Sequence, residues 1–185
     1  MYEWARFRRT KGAVKLHLRL DHDGYLPDYA IITDGKRHDA KIAHHFDYKP
    51  GSITVFDRAY VDYTLLYLIH CNEAFFVTRL KSNADYEVIE ERKVSWNNTV
   101  LSDKIIRLTG YYTSKKYPKL LRIVTYYDED GDRTLTFLTN NMKLAAITIA
   151  MIYKERWEIE LFFKALKQNL KIKSFVGTSS NAVKI

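Results

Sequence analysis

In the run IYKERWEIELFFKALKQNL, from Ile152 to Leu170, one carboxylate stands among cations and aromatic rings. On a helix turning about 100° per residue, the steps from Tyr153 to Arg156, Glu160 and Lys167 return all four to one face, within roughly 60° of arc. Trp157 and Lys164 flank that face. Ile152, Ile159, Phe163, Leu166 and Leu170 make an adjacent apolar stripe that would seat the helix on a core, and Glu155 and Glu158 fall near the far side. Two chemistries fit this pattern. Arg156 with Glu160, and Glu160 with Lys164, are i,i+4 pairs that would form an ion-pair ladder contributing only ~0.2–0.5 kcal/mol each. Alternatively, Glu160 holds a metal ion beside cations and aromatics that hold nucleic-acid phosphate and base.

A second carboxylate, Asp57, lies in S-I-T-V-F-D-R-A-Y-V-D-Y. An acid directly after an apolar strand sits at the carboxyl end of a sheet, where open α/β folds place their sites. It could equally pair with Arg58 or begin the turn that follows. Asp62 is the better N-cap for the next helix, because it directly precedes Tyr63-Thr64-Leu65-Leu66. Arg79, with Lys81 beyond it, is either a phosphate contact or a solvated strand end.

The elements that must position these groups follow from periodicity. Residues 1–12 are aromatic and basic, with Arg6, Arg8, Arg9 and Lys11 close together. The alternating VKLHLRL at 14–20, the turn D-H-D-G at 21–24 and YAIIT at 29–33 predict a hairpin. A short helix is expected over 38–46. SITVF at 52–56, a helix from about Tyr63 to Asn72 and AFFVTRL at 74–80 predict a strand–helix–strand unit with parallel pairing. From Lys81 to about Asn141 the pieces IIRLTGYY, LLRIVTYY and RTLTFLT read as strands without helical periodicity, and D-E-D-G-D at 128–132 as a hairpin turn. Helix resumes near Leu144.

Composition bounds the function. The 185 residues are 46% hydrophobic and 28% charged, which suits a globular chain with a core. A formal charge of +8 and a pI near 9.4 favour a polyanionic partner. No apolar run approaches the ~20 residues of a membrane span, and no signal segment opens the chain, so a cytoplasmic protein without a membrane partner is expected. The single Cys71 can form neither an internal disulfide nor a Cys-rich zinc site, and is expected as a small buried hydrophobe.

The spacing Y-x2-R-x3-E-x6-K at Tyr153, Arg156, Glu160 and Lys167, with F-D-R-A-Y upstream and F-L-T-N-N before the helix, resembles the catalytic core of bacterial insertion-sequence transposases of the DDE class that carry a YREK signature. The resemblance runs from W-A-R-F-R-R-T-K-G-A-V-K-L-H to G-T-S-S-N-A-V. It implies an α/β, ribonuclease-H-like core interrupted by a β-rich insertion. Residues 1–80 would be the partial core, 81–143 the insertion and 144–185 the catalytic-helix region. Asp57 resembles the second acid of the triad and Glu160 the third, both as ligands to Mg²⁺ or Mn²⁺, with two ions expected in the intact protein. Tyr153 and Lys167 would orient DNA backbone, Arg156 would bind phosphate or orient Glu160, Trp157 would stack on an unpaired or flipped base, and Arg79 would contact phosphate.

The family's first acid ends a strand upstream of the segment resembling Tyr2 to Lys11, so the resemblance implies a core fragment whose first strand is missing. Asp21 and Asp23, at a hairpin tip, are poor substitutes. The expected partner is duplex DNA, both transposon ends and target, engaged by a dimer in the active complex. Metal-dependent cleavage and strand transfer are expected of the intact protein, and little activity of this chain alone. The alternatives are a non-catalytic DNA-binding remnant and a two-metal structure-specific nuclease.

Overall fold

The computed structural model describes residues 6–8, 11–12, 14–22, 26–34, 39–94 and 99–170. The chain divides into two compact units, one formed by Met1–Phe46 with Trp157–Ile185 and the other by Asp47–Arg156.

In the first unit, β1 (Arg6–Arg8) pairs with β2 (Lys11–Gly12), and β3 (Val14–Leu20) forms the expected antiparallel hairpin with β4 (Pro27–Asp34). Inside the hairpin, the buried His17 ring nitrogen Nε2 meets the Thr33 hydroxyl at 2.9 Å. A short helix α1 (Asp39–Ala43) follows, and the edge of the Tyr29 ring packs on Phe46. Arg19 is held at 2.8 Å by Asp28.

The second unit is built on one six-stranded sheet of order β5-β6-β10-β9-β8-β7. Strand β5 (Ile53–Val55) passes through α2 (Tyr63–Cys71) to its parallel neighbour β6 (Phe75–Arg79), as the apolar texture of both strands predicts. Asp62 caps α2 by accepting from the backbone N–H groups of Thr64 and Leu65, at 2.8 and 3.3 Å. The remaining strands, β7 (Tyr86–Glu91), β8 (Val100–Leu108), β9 (Leu121–Asp128) and β10 (Arg133–Thr139), pair antiparallel. They do not stand apart, because β10 pairs with β6 and carries the sheet through residue 80.

Two helices cover the sheet in ways the sequence only partly suggests. Val77 of β6 packs with Ile149, Ala150 and Tyr153 of α4 (Ala146–Lys154), while its neighbour Phe76 packs against Tyr117. Adjacent strand residues point to opposite faces, so both faces of β6 are covered. Tyr117 ends the short helix α3 (Tyr111–Lys116), which occupies the stretch expected to continue the strand IIRLTGYY. Six residues are too few to show helical periodicity, and β8 stops at Leu108. Cys71 is exposed rather than buried. It lies two residues, about 200°, beyond Ile69 on the buried stripe of α2.

Polar pegs lock the layers. Asn140 accepts from the Phe76 N–H at 3.0 Å and donates to the Ala74 carbonyl at 2.9 Å, while the Thr139 hydroxyl donates to the Phe76 carbonyl at 2.6 Å. Asn141 accepts from the N–H groups of Lys143 and Leu144, shaping the lead-in to α4. Arg122, 1% exposed, donates to both oxygens of Asp103 at 2.8 Å and to the carbonyls of Asn141 and Leu144. The F-L-T-N-N segment therefore joins β10 to β6 and aims α4.

Candidate active site

The expected single helix through Ile152–Leu170 is two helices. α4 ends at Lys154 and α5 (Trp157–Leu170) starts after a turn at Glu155 and Arg156. There the Arg156 N–H bonds to the Tyr153 carbonyl, three residues back instead of four, at 3.1 Å. The 100° step cannot be carried across this turn, so Tyr153 and Arg156 do not share one helical face with Glu160 and Lys167 by periodicity. Side chains next to the break make tertiary ion pairs. Lys154 reaches Asp128 at 3.2 Å and Asp130 at 2.9 Å, while Arg156 approaches Asp57.

Asp57 follows the buried Phe56 just past the carboxyl end of β5. Its extended backbone (φ −65°, ψ 153°) starts a 3-10 turn over Arg58–Tyr60, and its Oδ1 accepts from the Ala59 N–H at 2.8 Å. The turn-starting alternative is thus realised, and it leaves Oδ2 facing another element. Arg156 Nη1 lies 3.8 Å from that oxygen, and it is Arg156 rather than Arg58 that provides the ion pair. The Asp57 side chain is 48% exposed and that of Arg156 19%.

Tyr153 completes the cluster from below. Its ring is in the core against Phe137, with centroids 4.8 Å apart, and the Arg156 guanidinium carbon lies 5.6 Å from the ring centroid. Burial pushes its phenol above the ordinary range; Arg156 and Arg79 pull it down and Asp57 pushes it further up. Arg79, half-buried, ends β6 opposite Phe137. Tyr153 is only 6% exposed, and its ring supports Arg156 from the core.

Asp57, Arg79, Tyr153 and Arg156 are therefore gathered at one end of β5 and β6. The other residues singled out by the sequence lie in the first unit. Trp157 opens α5 and is 55% exposed, and Glu160 is exposed on the same helix beside a shallow groove bordered by Phe163, Lys164 and Gln168. Lys167 lies on α5, but its side chain is outside the described residues, as are Arg9 and Asp23. Asp21 is exposed at the end of β3. What sequence reasoning missed is the support: Asp103 and Arg122 lie in strands where alternation alone does not distinguish a buried ion pair from solvated charges.

A divalent cation suits the donor set in part. Asp57 offers a hard, half-exposed carboxylate with one oxygen already fixed by a backbone N–H, the kind of ligand such ions take. Among the described residues, no group of three or more His, Cys, Asp or Glu is placed to share one ion. Asp57 by itself is not a complete site.

The sequence profile of the transposase DDE domain matches residues 4–185, and the chain belongs to that family. It is similar to a protein of Sinorhizobium fredii named for transposase function, y4zB, at 39% identity over 98% of this chain and 52% of that protein. A protein of Geobacillus stearothermophilus named for the transposase of insertion sequence element IS5377 is 30% identical over 97% of this chain and 47% of its own length. One from Synechocystis, named for insertion sequence element IS4SA, is 26% identical over 86% of this chain and 45% of its own length. The chain spans about half the length of these curated relatives. Among the described residues, no helix is long and apolar enough to cross a membrane.

Proposed function

We propose that this chain is part of the catalytic core of an insertion-sequence transposase, in which Asp57 and Glu160 are metal-binding acids for cleavage and transfer of DNA strands. The observation that carries the reading is the convergence of Asp57 with Arg156, over Tyr153 and beside Arg79, from segments far apart in sequence. A strand-terminal acid with one oxygen fixed by a backbone N–H and the other facing a guanidinium is pre-set in one orientation, as a ligand to a reaction centre must be.

Mg²⁺ or Mn²⁺, as a pair of ions in the intact protein, would supply Lewis acidity at the scissile phosphate and lower the pKa of the attacking water or 3′-hydroxyl. Asp57 would hold this centre, with Glu160 as a second acid and a further carboxylate needed to bridge the pair. Arg156 orients Asp57 and presents its guanidinium to phosphate. Arg79 and Lys167 are further phosphate contacts, and the exposed Trp157 ring would stack on an unpaired base. Duplex DNA, as element ends and as target, is the partner, with two chains in the active complex. Within this reading, residues 1–80 and 144–185 belong to a ribonuclease-H-like core and 81–143 are the β-rich insertion between its acids.

The test is nicking of supercoiled plasmid in Mn²⁺ by the protein of full relative length, beside its Asp57→Asn and Glu160→Gln variants. Each variant should lose nicking and keep DNA binding. Metal-dependent nicking that survives either substitution overturns the assignment of that acid.

A further inference from the structure

Far along the second unit from Asp57, α3 shows two neighbouring tyrosines to solvent, Tyr111 at 68% and Tyr112 at 75% exposure. Single exposed aromatics are ordinary, but a pair beside lysines is a recognisable surface. Their rings meet edge to face at 5.0 Å, and Lys115 Nζ sits 3.9 Å from the Tyr111 centroid. Tyr111 thereby holds an ammonium group in place. Lys116 and Lys119 are exposed alongside, and residues 110–120 contain three lysines and no carboxylate. Two acids lie nearby: Asp62, which caps α2 and whose pKa Lys116 helps to lower, and Asp85, whose carboxylate lies beside Gly110 at the start of α3.

The patch has a rigid base. Tyr117, 1% exposed, is wedged among Phe76, Tyr67 and His70, and its hydroxyl is 3.1 Å from His70 Nδ1. The Thr113 hydroxyl donates to the Gly110 carbonyl at 3.1 Å. Topology sets the patch apart from the candidate active site. β9 runs in the same direction as β6, because each pairs antiparallel with β10, so α3, which leads into β9, lies at the end of the sheet where β6 begins and Asp57 at the end where β5 and β6 finish.

We propose that the α3 face is a second contact surface for duplex DNA, binding backbone phosphates through Lys115, Lys116 and Lys119 and through the Tyr112 hydroxyl. Three ammonium groups and a phenolic donor on a fixed base match a row of phosphates and carry no base-edge readout, so the contact is independent of sequence. The inference rests on the DNA reading above and adds to it a site that the catalytic residues do not supply.

The experiment uses the full chain and a duplex of about 30 base pairs. Affinity is measured across salt concentrations for the unaltered protein, for Lys115→Gln/Lys116→Gln/Lys119→Gln and for Tyr112→Phe. The triple variant should flatten the log–log salt slope by about 2.7, near 0.9 per lost contact, while Tyr112→Phe weakens binding several-fold and leaves the slope unchanged. Lysine acetylation of the unaltered protein, mapped by mass spectrometry, should show Lys115, Lys116 and Lys119 protected by duplex, a readout that needs no variant to fold. If the unaltered protein does not bind duplex at low salt, the DNA reading itself falls, and this surface with it. If it binds while the slope and the acetylation of these lysines stay unchanged, only the α3 proposal is overturned. Protection by anionic lipid vesicles but not by duplex would likewise overturn it, in favour of a membrane contact.

Discussion

Arg156 Nη1 stands 3.8 Å from Asp57 Oδ2, joining the residue just past β5 to the turn after α4. Charge and aromatic support meet there: the guanidinium has the Tyr153 ring below it and the Asp57 carboxylate beside it. Replacing Arg156 by Ala should therefore impair orientation more than folding. Metal-dependent strand cleavage is expected to drop about 10²-fold, the scale of a misplaced reacting group, while duplex binding loses about one phosphate contact from its salt slope. Arg156→Lys keeps the charge and loses the planar fork, and should recover binding without cleavage. Cleavage by Arg156→Lys at the level of the unaltered protein would argue against an orienting role for the planar fork.

Tyr153 separates packing from chemistry. Tyr153→Phe keeps the ring against Phe137 and removes only the hydroxyl beside Arg156, and should change stability by about 1 kcal/mol or less. Tyr153→Ala opens a cavity in the core and should cost about 3–5 kcal/mol. Urea titration of both variants decides the matter. A loss in the Phe variant as large as in the Ala variant would mean that the hydroxyl's bond to Arg156, and not the packing of the ring, holds the core.

The Arg122–Asp103 pair should be the most sensitive polar element of the second unit. Its side chains are 1% and 7% exposed, so removing either partner strands a charge in a low-dielectric interior. Asp103→Ala is expected to lower stability by about 3–5 kcal/mol. A double replacement, Asp103→Leu with Arg122→Met, should recover most of that loss, because desolvation of both charges is relieved together. The double variant should still suffer at α4, since Arg122 also satisfies the Asn141 and Leu144 carbonyls. Thermal unfolding of the single and double variants reads the difference.

Asp128 gives the expected acid limb. Burial alone would raise its carboxyl, but the ion pairs with Lys154 and Arg133 outweigh burial and hold it below the ordinary value. A group whose folded pKa is depressed stabilises the fold above its unfolded pKa, about 3.9, and that contribution fades as pH falls through the lower folded value. Stability of the unaltered protein should thus fall steeply below about pH 4, and Asp128→Asn should be less stable at pH 7 with a shallower acid limb. Urea midpoints between pH 7 and pH 2.5 test this; parallel profiles would contradict it.

What the sequence disclosed divides by range. Alternation in VKLHLRL marked the β3–β4 hairpin, continuous apolar runs marked the parallel β5–β6 pair, and Asp62 marked the start of α2, because each signal is local. The break at Glu155 and Arg156 was illegible, as no Gly or Pro stands there. Lys154 and Arg156 pair with Asp128, Asp130 and Asp57, partners far away in sequence that no local signal discloses. α3 was too short to show a period. Strand β7 was overlooked because all six of its residues are exposed at a sheet edge, with no apolar alternation to reveal it. Of the candidate site, Asp57, Arg79, Tyr153 and Arg156 were named from residue type and spacing, but the burial of Tyr153 depends on Phe137 and the sheet beneath it.

The way the chain is divided bears on how it is made. Asp47–Arg156 is one uninterrupted stretch, whereas the other unit is assembled from Met1–Phe46 and Trp157–Ile185. On the ribosome, the uninterrupted unit can close its six-stranded sheet as soon as α4 has emerged, with every partner already synthesised. The β3–β4 hairpin emerges before that unit, and the α5 segment of its own unit only after it. During synthesis the hairpin segment therefore waits through the birth of a complete neighbour before its own unit can be finished, open to chaperones and proteases in that interval.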